Sequence, residues 1–133
     1  MTLCTVDRGS ARKRILLVED DGATRFMMSE MLEELGVECI EAEDGRRCLE
    51  RLADEADRID LVLMDIHMRP MTGLEAIAAI RSSPDDPPRQ MRIIAVTADQ
   101  ALHDPELVRA RGFNDVIPKP VSFARIRDAV QAL

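Results

Sequence analysis

Tyrosine and tryptophan are absent from this chain of 133 residues, and its aromatic rings are limited to three phenylalanines and two histidines. No second histidine lies near His67, so a metal centre built on imidazole has no support. Three cysteines, Cys4, Cys39 and Cys48, share no CxxC spacing, which removes zinc as well, and their odd number in a chain without a secretory signal points to free thiols. Cys39 and Cys48 fall in a strand and a helix pattern and read as small buried hydrophobes without chemistry of their own. Long hydrophobic runs are missing too. None reaches transmembrane length, and Met1–Arg8 lacks the basic start and apolar core of a secretory signal, so a cytoplasmic location away from any membrane is expected. Positive charge is in deficit: 18 Lys and Arg stand against 25 Asp and Glu, and the net charge of −7 disfavours both nucleic acid and anionic lipid. Direct nucleic-acid binding is therefore not expected.

What is present is one sustained alternation of strand and helix patterns, without repeats or low-complexity segments. The length is that of a single domain, and a hydrophobic content of 46% suffices for one core. Residues 1–12 carry Gly9, Ser10 and several charges without periodicity and are expected to form a mobile N-terminal tail; the domain is expected over residues 13–133, with no room for an effector domain. The first strand opens at Arg14. Met28, Met31, Leu32 and Leu35 then recur at helical spacing, and Gly36 stands where that helix stops. Val37 to Glu43 reads as a second strand, and Asp44 opens a helix with Leu49, Leu52, Ala53 and Ala56 on its apolar face. Leu61 to Met64 is an uninterrupted apolar run, the pattern of a strand buried on both faces of a parallel sheet. Thr72-Gly-Leu-Glu75 is a capping box that predicts a third helix over about 73–82, stopped by Pro84, Pro87 and Pro88. A fourth strand follows over Met91 to Val96. Asp104-Pro105-Glu106 opens a short helix that Gly112 ends, a fifth strand runs from Asp115, and Ser122 caps a last helix with Phe123, Ile126 and Val130 inward. Five parallel strands alternating with five helices predict an α/β fold, a three-layer doubly wound sheet.

In such a sheet the carboxyl ends of all strands lie on one edge, where ligands bind. The first strand ends in Glu19-Asp20-Asp21, the third in Asp65, the fourth in Thr97, and the fifth in Lys119 between Pro118 and Pro120. Glu19, Asp20, Asp65, Thr97 and Lys119 are therefore expected to converge. Carboxylates about 4 to 5 Å apart repel by a few kcal/mol per pair at an effective dielectric near 20, more than one lysine offsets, so a divalent cation is required. Hard oxygen donors in small number suit Mg²⁺.

This ordered set, an acidic pair after the first strand, Asp65 with Met68 three later and Gly73 eight later, Thr97-Ala98, then Lys119-Pro120, resembles the receiver domain of two-component response regulators over residues 12–133. The segment from Gly112 to Pro120 is similar to receivers of hybrid histidine kinases. The resemblance implies a flavodoxin-like strand order 2-1-3-4-5 and a single-domain response regulator, a signalling domain that catalyses only its own phosphorylation and dephosphorylation. It implies that Asp65 takes a phosphoryl group from a histidine kinase or histidine phosphotransfer protein, as a switch or a phosphorelay intermediate. Asp20, Asp65 and the backbone carbonyl of His67 would bind Mg²⁺, with Glu19 in support. Thr97, the Ala98 amide and Lys119 would hold the phosphoryl group, while His67 and Asp99 would tune its loss to water. A downstream protein would bind the face of helix 4, strand 5 and helix 5, and a weak homodimer is compatible with the pattern.

Three positions depart from the family pattern. The proline usual four residues after the acceptor is Arg69, and Pro70 follows one residue late. The aromatic ring usual three residues before the lysine is Val116, which has no ring to swing toward Thr97, so the loop at residues 98–103 and the short helix after it are expected to carry the signal. Val121 replaces a frequent phenylalanine after Lys-Pro, with little consequence. Two other classes fit less well. A haloacid dehalogenase-like phosphatase needs a second Asp where His67 stands, and a flavin-binding module needs a Ser/Thr/Gly-rich phosphate loop where Glu19-Asp20-Asp21 would repel phosphate.

Overall fold

Five short strands and five helices follow one another in strict alternation through a computed structural model that describes residues 12–133; residues 1–11 of the expected tail, with Cys4, lie outside the described residues. The strands are β1 (Arg14–Val18), β2 (Glu38–Ala42), β3 (Leu61–Asp65), β4 (Ile93–Thr97) and β5 (Asp115–Pro118). The helices are α1 (Gly22–Glu34), α2 (Gly45–Glu55), α3 (Gly73–Arg81), α4 (Pro105–Ala110) and α5 (Phe123–Gln131). All strand pairs are parallel and the order is β2-β1-β3-β4-β5. The fold class and strand order expected from the sequence are those found.

Side chains alternate across the pleat, so each central strand feeds two cores. Leu16, Val18, Val62, Met64 and Ala95 pack under α2 and α3 against Cys48, Leu52, Ile77 and Ile80. Ile15, Leu17, Leu61, Leu63, Ile94 and Val96 pack under α1 and α5 against Met28, Leu32 and Ile126. Complete burial of one such aliphatic side chain stabilises by about 1.5–3 kcal/mol, which fixes the central strands and hence the edge where they end.

Each helix begins at an oxygen cap, from Asp21, Asp44, Thr72, Asp104 and Ser122, and the Thr72–Glu75 capping box is formed in both directions. Gly36 at φ 78° and Gly112 at φ 111° take the left-handed conformation just past α1 and α4, where other residues are strained. No helix of the described residues is long and apolar enough to cross a membrane.

The structure corrects the sequence reading in detail. β2 and β4 are Glu38–Ala42 and Ile93–Thr97, each shifted or trimmed at its ends. Ala53 is exposed, and the buried stripe of α2 is Cys48, Leu52 and then Ala56 in a following 3-10 turn, a spacing of four. Cys39 is half-buried, since β2 is an edge strand. Phe123 is only half-buried and joins neither core, because it sits in the first turn of α5, before the helix meets the sheet at Ile126. The loop after β4 is not featureless: Gln100–Leu102 form a 3-10 turn.

Candidate functional site

The chain from Val18 leaves the sheet at its carboxyl edge and places Glu19, Asp20 and Asp21 beside the end of β3. Glu19 continues the ladder by donating its amide to the Ala42 carbonyl at 3.1 Å, and its side chain is 1% exposed. Glu19 Oε2 accepts the Asp21 amide at 3.1 Å, and Arg25 Nη1 donates to the Glu19 carbonyl at 2.8 Å. Glu19 Oε1 is buried and pairs with the Lys119 ammonium at 2.8 Å, and the same ammonium lies 3.5 Å from Asp65 Oδ2. Lys119 thus joins the two acids. Asp65 Oδ1 accepts the His67 amide at 3.3 Å.

Asp65 is 5% exposed. Burial, then the neighbouring charge of Glu19, push its carboxyl up to about 7, against the opposing pull of Lys119. Burial disfavours the Lys119 cation, but its hydrogen bonding to Glu19 and the charges of Asp65 and Glu19 prevail and hold its pKa above the ordinary value. Glu19, Asp20 and Asp65 each offer an oxygen within 4.8 Å of the others, and Asp20 is the exposed member. Fit to a small hard cation follows from two features: an all-oxygen donor set and a solvent-facing Asp20 that leaves an entry.

Gly73 fixes the path beyond Asp65. Its amide donates to the Ile66 carbonyl at 2.8 Å, and a Cβ there would lie 2.5 Å from the Asp65 carbonyl oxygen and 2.8 Å from Ile66 Cα. No side chain fits, which accounts for a glycine eight residues after the acid. Met68 is buried and Arg69–Pro70 is a cis peptide, yet the capping box re-establishes helix geometry at Thr72.

Across the site, Thr97 is fully buried at the end of β4. Its Oγ1 accepts the Asp99 amide at 3.0 Å, and its carbonyl accepts both the Lys119 amide at 2.9 Å and His103 Nε2 at 2.8 Å. Ala98 is exposed at the start of the loop. His67 Nε2 and Asp99 Oδ2 are 3.2 Å apart, a bridge between the loops after β3 and β4, with the His67 side chain 62% exposed. Val116 is buried in the core beneath α2 and α3, in register with Ala95.

The structure therefore gathers Glu19, Asp20, Asp65 and Lys119 directly and sets Thr97, with Ala98 and Asp99, on the adjoining strand end. Sequence reasoning missed Arg25 and His103. Both act on main-chain carbonyls, which leave no trace in residue type or spacing. A surface groove of about 490 Å³ between α1, β2 and α2 is lined by Arg25, Glu41, Arg47 and Glu50 and does not include Asp65.

Comparison with known proteins gives a consistent picture. The model of the response regulator receiver domain matches residues 15–131. Over 108 residues, 81% of this chain, the sequence is 40% identical to the CAI-1 autoinducer sensor kinase/phosphatase CqsS of Vibrio cholerae, of which it spans 15%. It is 33% identical to the polar-differentiation response regulator DivK of Brucella anthropi over 120 residues, covering 90% of this chain and 94% of DivK. It is 30% identical to GacS, a sensor protein of Pseudomonas syringae, and spans 13% of that protein, so some relatives are far longer than this chain and others match it in size. Among solved structures, the receiver domain of a sensor histidine kinase from Pseudomonas aeruginosa, with a magnesium ion coordinated in its active site cleft, superposes with a TM-score of 0.80 at 30% identity, covering 92% of this chain and 97% of that one.

Proposed function

The chain belongs to the response regulator receiver domain family, and we propose that it is a phosphorylation-driven switch or phosphorelay intermediate in which Asp65 is the phosphoryl acceptor. Receiver domains are signalling domains that take phosphate from histidine kinases or histidine phosphotransfer proteins. The observation that carries the reading is Lys119, which touches both Glu19 and Asp65 while Asp20 offers a third oxygen to the same point.

The transfer forms an O–P bond at the Asp65 carboxylate as the N–P bond of the donor phosphohistidine breaks; the imidazole leaves with the electron pair and takes up a proton. Its transition state is loose and spreads charge over three equatorial oxygens, so the protein's part is positioning and charge balance. When bound by Asp20, Asp65 and the His67 carbonyl, with Glu19 in support, Mg²⁺ supplies charge neutralisation at the acceptor and the incoming oxygens. Lys119 takes a second phosphoryl oxygen, and the Thr97 hydroxyl and Ala98 amide take the third. The 3.2 Å His67–Asp99 bridge joins the loops that follow Asp65 and Thr97, which supports a shared influence of these residues on acyl phosphate lifetime.

Phe26, 65% exposed and just over one turn beyond Asp21 on α1, offers the phosphodonor an apolar contact near the acids. Leu107, 42% exposed on α4, serves a downstream protein at the α4–β5–α5 face in the same way, or a weak homodimer.

The test is chemical. Incubation with acetyl phosphate and Mg²⁺ should add one phosphoryl group, seen as a mass increase, and Asp65→Asn should not gain it. Stable phosphate on His67 in that variant would remove the assignment.

A further inference from the structure

Thr97 is tied twice to the loop that follows it. Its hydroxyl oxygen holds the Asp99 amide at 3.0 Å, and its carbonyl holds His103 Nε2 at 2.8 Å. A carbonyl only accepts, so His103 donates from Nε2–H. The same carbonyl accepts the Lys119 amide at 2.9 Å, and Lys119 touches Asp65 through its ammonium. One main-chain oxygen is thus the junction between the strand end that carries Lys119 and the loop that leads into α4.

We propose that His103 is the positioning residue that couples Thr97 to α4, doing with an imidazole on the β4–α4 loop what Val116 cannot do from β5. The inference rests on the reading of Asp65 as phosphoryl acceptor and adds the route by which its state leaves the site. His103 is half-buried, ends the 3-10 turn Gln100–Leu102 and immediately precedes Asp104, the cap of α4. The Asp104 side chain accepts the amide of Glu106 and its carbonyl those of Leu107 and Val108, so the first turn of α4 moves with the residue after His103. Val108 is the one buried residue of the six in α4, so little packing resists a shift of this helix. Leu102, packed against the core beneath α2 and α3, pins the loop on one side, and the imidazole pins it on the other. When the Thr97 hydroxyl turns toward a phosphoryl oxygen, it gives up the Asp99 amide, and the imidazole bond becomes the remaining hydrogen bond from the loop to Thr97. Movement of the Thr97 main chain is then passed by the ring to residues 103–104 and into the first turn of α4. Val116 has no part in this path: its side chain is buried and ringless, in register with Ala95.

The experiment compares wild type, His103→Ala and His103→Gln, the last retaining an N–H donor at similar reach. Each is loaded with beryllofluoride and Mg²⁺ as a phosphoryl mimic, and amide hydrogen exchange is followed by residue, with the His103 side-chain ¹⁵N resonances recorded in the wild type. Acetyl phosphate loading by mass runs in parallel. The expected result is that all three load Asp65 equally, that loading shifts the wild-type Nε2 resonance, and that exchange over residues 104–111 changes on loading in the wild type and in His103→Gln. In His103→Ala that response should be smaller by about threefold to tenfold, the factor one hydrogen bond supplies. Equal responses in all three proteins, or an unmoved Nε2 resonance in loaded wild type, would overturn the coupling while leaving Asp65 as acceptor intact. Failure of the wild type to load at Asp65 would instead overturn the functional reading and this route with it.

Discussion

Asp65→Asn replaces the buried carboxylate with an uncharged side chain of the same shape, and the structure gives the effect on the metal-free fold both a sign and a pH window. Burial and the charge of Glu19 raise the Asp65 carboxyl from 3.8 in the unfolded chain to about 7 in the fold. Between those values the native protein holds a proton that the unfolded chain has released, so stability falls as pH rises through the window. The loss is absent below about pH 4 and complete above about pH 7. At about 1.4 kcal/mol per unit of pKa the upper bound is roughly 4 kcal/mol. The rise to about 7 already includes the opposing pull of Lys119 at 3.5 Å, so the bound is reduced only for solvent screening and local relaxation around the charge, and a net gain of about 2 kcal/mol is expected.

For a domain of this size that gain corresponds to a rise in Tm of roughly 6 °C. Thermal or urea unfolding of both proteins in chelator, at intervals from pH 4 to 8.5, reads it directly. The two curves should meet near pH 4 and diverge through neutrality, with Asp65→Asn the more stable. Mg²⁺ should close the gap by raising the wild type. A variant less stable than wild type at pH 8, or a difference that does not change with pH, would refute the electrostatic account of this site.

Asp20→Asn should abolish the Mg²⁺-dependent rise in Tm, because it removes the exposed oxygen of the acid cluster; an unchanged rise would put the metal elsewhere. Gly73→Ala should destabilise by about 1–3 kcal/mol and also slow acetyl phosphate loading, since a Cβ 2.5 Å from the Asp65 carbonyl oxygen must displace the acceptor's own backbone; normal loading kinetics would argue against that link. Arg81→Ala should cost about 2–3 kcal/mol in urea unfolding, because the guanidinium donates to the carbonyls of Arg89, Met91 and Gly112 and to Asn114 Oδ1, and Arg81→Lys should recover little because an ammonium cannot match that fork.

Much of this molecule was legible in the sequence because its signals are local or periodic. The apolar runs at β1, β3 and β4, the caps at Asp44, Thr72, Asp104 and Ser122, and the glycines at 36 and 112 state element type and order without reference to tertiary packing. In a parallel sheet that order puts every strand end on one edge, so the neighbourhood of Glu19, Asp20, Asp65, Thr97 and Lys119 followed from the alternation itself. Signals of pattern fail where a residue's environment depends on elements distant in the chain. Ala53 and Phe123 have the right chemistry for an inward face, but only the packing of α2 and α5 on the sheet decides that Ala53 is exposed and that Phe123 is half-buried outside both cores. Likewise the sequence offered His103 as one polar residue in a loop. That its imidazole donates to the Thr97 carbonyl, and that Lys119 shares the same oxygen, was decided by the tertiary structure alone, because a main-chain acceptor has no identity in the sequence and becomes a partner only when the folded chain brings it within reach.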